Sequence, residues 1–502
     1  DASVAYIAHN DGLSRSDDGG LTFADTGPFS TKVDGLVTSA SNPMKVFATT
    51  SFDGLFVSTD GGATMVPVTD LGNGHWMAAE PGGLRVVGFG LGVNAAPQGG
   101  DLQPTALYLQ RTDSIAIDPD DPTRWLAGGA GWGNQAAQVR TLTDDGDDYE
   151  LTYERFGAGW VEDIEYDPFD SDRVLAGIYP GVGGDEGILH STFSGAAWTE
   201  VPGTEGWGVR DITFDPFTPG RVLALLQDNW WAGSLDGGAT WGPITPGWPA
   251  SGEAVFLQYD LFNPGVLYRG DAGDGLWRSD DDAATWTSLG IPLDFDSGLL
   301  QHPQFPGLLW VGNADGEILV SADGGDSFQL ALDVPLGAIG SSMALDTADG
   351  SMLIGTNGSS AWELAHASPA IKLGDGSAGS GGFTPRLYIG SLPQIGTPAF
   401  VLNGDNFRGG APIVLVFSVF STSVPAFGGT FYIGSPFTLL PFPGGGPFGV
   451  PGAGSFTLQG ALPNDPMLEG VSIYLQYGVD DPVAPTPENI VLSDGLALRF
   501  HN

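Results

Sequence analysis

Cysteine is absent from all 502 residues, which excludes disulfides, thiolate metal sites and cysteine nucleophiles. Basic side chains are scarce: 17 Lys and Arg stand against 60 Asp and Glu, a formal charge of −43. A surface this acidic repels phosphate backbones and anionic headgroups, so no nucleic acid and no membrane surface is expected as a partner, while metal ions, cationic partners and neutral ligands stay open. Long apolar runs are missing as well. The most apolar stretch, 413–420, is broken by Ser418 and falls far short of the ~20 residues that span a bilayer. Only 15% of the residues are charged, whereas Gly and Pro number 79 and 37, a turn-rich composition that argues against a mainly helical fold. With 41% hydrophobic residues and 14 Trp, 12 Tyr and 28 Phe, the chain has ample material for a core. It begins at Asp1, without Met and without a basic segment followed by an apolar one, as a secreted protein does after signal-peptide removal. An extracellular or cell-surface location is expected.

The chain repeats itself. The pattern Ser-x-Asp-x-Gly-x-Thr-aromatic occurs at Ser16-Asp18-Gly20-Thr22-Phe23, Ser234-Asp236-Gly238-Thr240-Trp241 and Ser321-Asp323-Gly325-Ser327-Phe328, and with Met65 in the aromatic place after Asp60. Looser copies surround Asp281 and Ser191, with worn remnants near Asp145 and Ala96. Successive copies lie 38 to 48 residues apart, the length of one four-stranded propeller blade. About 20 residues before each motif a short alternating strand ends in Asp-Pro, as at Asp118-Pro119, Asp167-Pro168 and Asp215-Pro216. Strand, Asp-Pro turn, strand, turn, strand, Asp-Gly-Gly hairpin and strand make a complete blade. Eight inner strands are counted against nine copies of the second and third strands, so eight blades are expected, with nine as the alternative.

These motifs resemble the Asp-box (BNR) repeat of sialidases, Vps10-type receptors, xyloglucanases and photosystem assembly factors, over residues 1–366. The resemblance implies an all-β Asp-box β-propeller in which Asp18, Asp60, Asp236, Asp281 and Asp323 are structural. Their carboxylates accept backbone N–H bonds inside the hairpin, and glycine supplies the left-handed turn position. Residues 367–382, rich in Gly and Ser, read as a flexible linker. Residues 383–502 alternate as short strands between Pro/Gly turns and fit a β-sandwich. The segments 380–387, 462–466 and 492–496 resemble a sandwich found at the C-termini of large secreted proteins of some aquatic bacteria. That family often carries a Cys where Ser377 stands here.

Ligands of a propeller bind where the inner strands and their loops converge on the channel. Three successive units bring Arg111-Thr112-Asp113, Trp160-Val161-Glu162-Asp163 and Trp207-Gly208-Val209-Arg210-Asp211 to that face. Carboxylates beside tryptophan planes are what glycoside cleavage requires. Asp163, Asp211 and Glu162 are therefore the catalytic candidates, and Trp132, Trp160, Trp207, Arg210, Trp230 and Trp231 the ligand-binding ones. Turn-bonded Asp and interblade Trp are the competing structural reading. Asp144, Asp145, Asp147 and Asp148 form an acidic run able to offer oxygen ligands to Ca²⁺. The six His are scattered, so neither zinc chemistry nor a nucleotide loop is indicated.

The family resemblances differ in what they carry over. Sialidases present an arginine cluster near an Arg-Ile-Pro segment, which this sequence lacks. Photosystem assembly factors use a basic surface, opposite to this one. Xyloglucanases share the repeat and the acidic, Trp-bearing loops but use two facing propellers, of which one is present. The main expectation is a secreted, non-catalytic structural or adhesive subunit that self-assembles as a homo-oligomer or filament. The alternative is a propeller that binds or hydrolyses an extracellular glycan.

Overall fold

The computed structural model describes residues 111–501 except 122, 131–135, 144–147, 181–186, 245–251, 296, 334–342, 357–359 and 365; before residue 111 it describes the strands and residues 22, 23, 60, 64 and 65. The repeats fold into nine consecutive antiparallel sheets, here sheets 1 to 9, spanning 5–26, 33–69, 74–104, 111–155, 160–200, 209–244, 253–288, 298–333 and 343–364. Sheets 2 to 8 have four strands in chain order, while sheets 1 and 9 have three. The protein is all-β, and the repeated four-stranded meanders are those of a β-propeller. All eight expected inner strands are present. The inner strand of sheet 9, Met343–Leu345, and its neighbour Met352–Thr356 lie against Gly74–Ala79, the inner strand of sheet 3. Sheets 3 to 9 thus close on one another, and Ala5–His9 of sheet 1 lies against Val33–Thr38 of sheet 2.

The box hairpins show why the motif recurs. The Ser234 hydroxyl donates to Asp236 Oδ1 at 2.7 Å and accepts the N–H groups of Asp236 and Gly238 at 3.2 and 2.9 Å. Asp236 then accepts Thr240 N–H at 2.9 Å on one oxygen and the Thr240 hydroxyl at 2.6 Å on the other. The same carboxylate bonds recur at Asp60, Asp281 and Asp323; Asp18 lies outside the described residues. Both oxygens are used inside the turn, and Gly238 takes φ +86° against Leu175 of the preceding sheet. Ser321→Ala removes the acceptor of the buried Gly325 N–H, and is expected to cost about 1–3 kcal/mol in urea denaturation; an unchanged midpoint counts against the hydroxyl as the anchor.

Arginines join neighbouring blades. Arg124, Arg173 and Arg221 each follow an Asp-Pro-type turn by six residues and pair with its carboxylate, Asp118, Asp167 and Asp215, at 3.3, 2.6 and 3.5 Å. Each also reaches the box turn of the next sheet. Arg124 donates to the Ser194 carbonyl at 2.5 Å, Arg221 to both oxygens of Asp282 at 2.6 and 2.7 Å, and the Arg173 guanidinium lies beside Gly237.

Beyond the repeats, strands Ala370–Lys372, Leu496–Arg499, Ser472–Asp480, Pro412–Ser418 and Thr438–Pro443 form one sheet in that order, with Ile490–Leu492 also paired to Ser472–Asp480. Arg386–Ile389, Phe400–Phe407 and Gly454–Gly460 form a second. Leu387, Leu402 and Phe407 of the second share a core with Ile413, Leu415, Tyr477 and Leu498 of the first, the arrangement of a β-sandwich. The expected linker is corrected. Within 367–382, Ala370–Lys372 pairs with Leu496–Leu498, Ser377 N–H bonds the Leu492 carbonyl at 2.9 Å and Ser380 N–H bonds Asp481 at 2.8 Å. Glycine serves close approach here, since a Cβ on Gly376 would collide with the Leu492 carbonyl.

Candidate functional site

The inner strands share a local irregularity that shapes the channel. Where each pairs with the second strand of its sheet, the register skips one residue: Asp113 in sheet 4, Glu162 in sheet 5, Arg210 in sheet 6 and Val255 in sheet 7. An extra residue on one strand of an antiparallel pair is a β-bulge, which bends the strand and re-aims its side chains. In Trp160–Asp167 the bulge turns the consecutive residues Glu162 and Asp163 toward the axis, and alternation adds Glu165. Together with Arg210 and Asp211 of the next inner strand, these line an axial cavity of about 790 Å³.

Three of the carboxyl groups inside it, Asp163, Glu165 and Asp211, are pushed toward their protonated forms. Burial pushes Asp163 up to about 6, against the restraining N–H bonds it accepts, and pushes Glu165 and Asp211 well above the ordinary carboxylate range, with the Asp163 charge adding to both. Asp163 and Asp211 lie side by side, and each perturbs the other's ionisation. Each also reaches the next blade: Asp163 accepts Ile212 N–H at 2.8 Å and Asp211 accepts Leu257 N–H at 2.5 Å.

A protonated form favoured by folding stabilises fully below the ordinary carboxylate range, and that contribution is lost as pH rises through the folded value. Stability is therefore expected to fall between about pH 4 and pH 7, with Asp494 of the sandwich, pushed up to about 7 by burial, acting in the same sense. In Asp163→Asn the amide keeps an acceptor for Ile212 and gains a donor toward Asp211. It should flatten the slope by up to about 1.4 kcal/mol per pH unit, read from urea midpoints across that range; an unaltered slope removes Asp163 as a source.

At the rim, Trp160 Nε1–H donates to Glu162. The Trp160 ring lies 5.2 Å from that of Tyr179, and the Arg210 guanidinium stands 4.7 Å above the Tyr179 ring while donating to its hydroxyl at 2.9 Å and pairing with Glu253. Trp160, Glu162, Asp163, Arg210 and Asp211, expected from two separate motifs, are thus neighbours. Trp207 is half-buried against the core of sheet 6. Trp230 is 65% exposed on the turn after Val222–Leu226. Trp231, expected at the ligand face, is 1% exposed and packs edge-on against Trp286 at 5.9 Å, because alternation on Trp231–Ser234 points it into the blade interface. Trp132, Asp144, Asp145 and Asp147 lie outside the described residues, and Asp148 is described only as the start of Asp148–Arg155. Among the described residues no group of three His, Asp or Glu is placed to hold a metal ion, and no helix is long and apolar enough to cross a membrane.

Glu165, Tyr179 and Glu253 were not anticipated. The spacing of Glu165 two residues after Asp163 on one strand was the available signal for it.

A buried network fixes the turn that carries Trp230. Arg269 and Asp271 are wholly buried and joined by two bonds of 2.9 and 2.8 Å. Arg269 also donates to Asn229 Oδ1 at 2.8 Å, which accepts Ala254 N–H at 3.0 Å, while Asn229 Nδ2 donates to the Gly252 carbonyl at 2.6 Å. Asp228 and Asn229 take the left-handed conformation, φ 58° and 63°, which Asp and Asn tolerate better than other side chains.

No family model matches the chain. Over 273 residues it is 29% identical to a xyloglucanase of a Paenibacillus species, covering 43% of this chain and 26% of that protein. A xyloglucanase of Acetivibrio thermocellus, Xgh74A, is 26% identical over 276 residues, 43% of this chain and 32% of its own. The chain thus spans about a quarter to a third of the length of these curated relatives. Among solved structures, YCF48 bound to a D1 peptide aligns with 59% of this chain and 93% of its own at 15% identity and TM-score 0.44. The GH74 xyloglucanase of Xanthomonas campestris aligns with 80% of this chain and 73% of its own, at 16% identity and TM-score 0.28. The expectation of a non-catalytic structural or adhesive subunit is overturned by the curated relatives, which are glycoside-cleaving enzymes.

Proposed function

We propose that the protein is a glycoside hydrolase acting on xyloglucan or a related glucan, with the propeller channel and its rim as the active site. The observation that carries this reading is the carboxyl set under an aromatic rim: Asp163, Glu165 and Asp211 line one cavity, where burial favours their protonated forms, with Glu162 beside Trp160 above them. Cleavage needs one carboxyl group to protonate the leaving oxygen and a second carboxylate about 5 Å or more away. Asp163 and Asp211 adjoin and are each tied to a backbone N–H of the next blade, a structural use that sets them apart from that couple. Glu165 is assigned as the proton donor and Glu162 as the carboxylate, with Trp160, Tyr179 and Trp230 offering ring faces to sugars. The xyloglucanase relatives support the substrate class, and action outside the cell follows from a polymeric substrate.

The test is release of reducing ends from xyloglucan, unsubstituted β-1,4-glucan and mixed-linkage glucan, with mass spectrometry of the products and pulldown on the insoluble forms. Products from any of them support the reading. Neither products nor binding on all three sinks it. Binding without products would make the channel a glycan-recognition site and remove the roles given to Glu165 and Glu162.

A further inference from the structure

The 56 residues between Arg408 and Asp465 contain no Asp, Glu, Lys, Arg or His, in a chain of net charge −43. They supply the outer half of the sandwich: strands Pro412–Ser418 and Thr438–Pro443 and the hairpin Ser421–Ala426/Gly429–Ile433. The register places Val414, Val416, Leu439 and Pro441 on the face turned away from the core, since Ile413 and Leu415 of the alternate set are buried in it. The hairpin covers part of this outer face, with Tyr432 N–H donating to Gln476 Oε1 at 3.0 Å and Gln476 Nε2 donating to the Thr430 carbonyl at 2.9 Å. It leaves the rest bare. Val414 and Leu439 are 37% and 56% exposed, and Phe420, Val424 and Phe437 of the same uncharged segment are exposed as well.

We propose that this face is the contact between two copies of the chain, packed sheet face to sheet face about a two-fold axis. An apolar patch of this kind on a soluble domain marks an interaction site, and charge selects the occupant. From residue 368 onward the chain holds eight acids and four bases, so the propeller carries nearly all of the −43. Two such molecules repel each other over most orientations, and the uncharged face is where they approach without apposing like charges. A closed two-fold pairing uses the same patch on both partners. Strand addition at the free edge is disfavoured: Pro441 and Pro443 alternate along Thr438–Pro443, and prolines tolerated in a strand sit where the missing N–H would face outward. The free edge therefore lacks two of its donors, and packing uses the face instead. The inference is independent of the proposed hydrolysis.

Sedimentation velocity and light scattering on the full chain, from about 1 to 100 µM, bracket the range of specific protein pairs. A mass twice the 52.0 kDa of one chain is expected, persisting in 1 M NaCl, where repulsion between propellers is screened. Leu439→Glu, alone and with Val414→Glu, should give monomers with an unchanged urea midpoint. Met467→Glu, 85% exposed in the same sandwich outside the patch, should leave the dimer intact. A monomer at all concentrations overturns the proposal, as does a dimer that survives both glutamates or an open polymer.

Discussion

On a cleaved glucan, Glu165→Gln is expected to lower kcat by about 10²–10⁴-fold while KM stays nearly unchanged. The loss follows from the position assigned to this carboxyl: it lines the channel, and burial together with the Asp163 charge pushes it well above the ordinary glutamate range. Glutamine preserves the shape and the hydrogen-bonding surface but has no acidic proton for the departing oxygen. Two readouts separate this from structural damage. The alkaline fall in kcat, set by ionisation of the donor, should be absent from the variant's pH profile. An aryl glycoside whose leaving group needs no proton should be cleaved with a much smaller loss than the glucan. A variant that retains wild-type kcat removes Glu165 from the chemistry and leaves the rest of the channel assignment to be tested at Glu162.

Arg269→Met is expected to cost about 3–5 kcal/mol of stability, because it strands the Asp271 carboxylate in a site from which water is excluded. Arg269→Met combined with Asp271→Leu should recover most of that loss, since an apolar pair of similar volume carries no uncompensated charge. The two variants separate global from local effects. In both, Asn229 loses its Arg269 donor, so hydrogen exchange in 227–231 should rise even where the urea midpoint has recovered. A single variant within about 1 kcal/mol of wild type would mean that Asp271 takes a proton or finds water instead.

The architecture was legible because a propeller writes its period into the chain: the box serine, aspartate and threonine recur together since each satisfies the others' hydrogen bonds, as Ser234, Asp236 and Thr240 do. The site was legible in part. Trp160, Glu162 and Arg210 stand at strand starts that the Asp-Pro turns help to locate. The bulge at Glu162 left no such mark, because a strand with one extra residue reads like any other until its partner is known. Without it, the side on which Asp163 and Glu165 emerge cannot be counted. Trp231 misled for a related reason: adjacent to the exposed Trp230, it belongs to the next strand and faces inward. The Gly-rich stretch 374–382 was read as slack, whereas its glycines let the backbone lie against Leu492 and Phe383.

The arginines at the blade seams carry a consequence for how such a chain can change length. Arg124, Arg173 and Arg221 each hold the turn of their own sheet and the box turn of the next. Sheets 5 and 6 therefore each supply a clasp for the next sheet and a catch for the one before. A unit duplicated or deleted in tandem would restore a clasp and catch at the new junction without any compensating substitution. The seam where the ring meets itself, between Met343–Leu345 and Gly74–Ala79, would have to be refitted when the number of units changes.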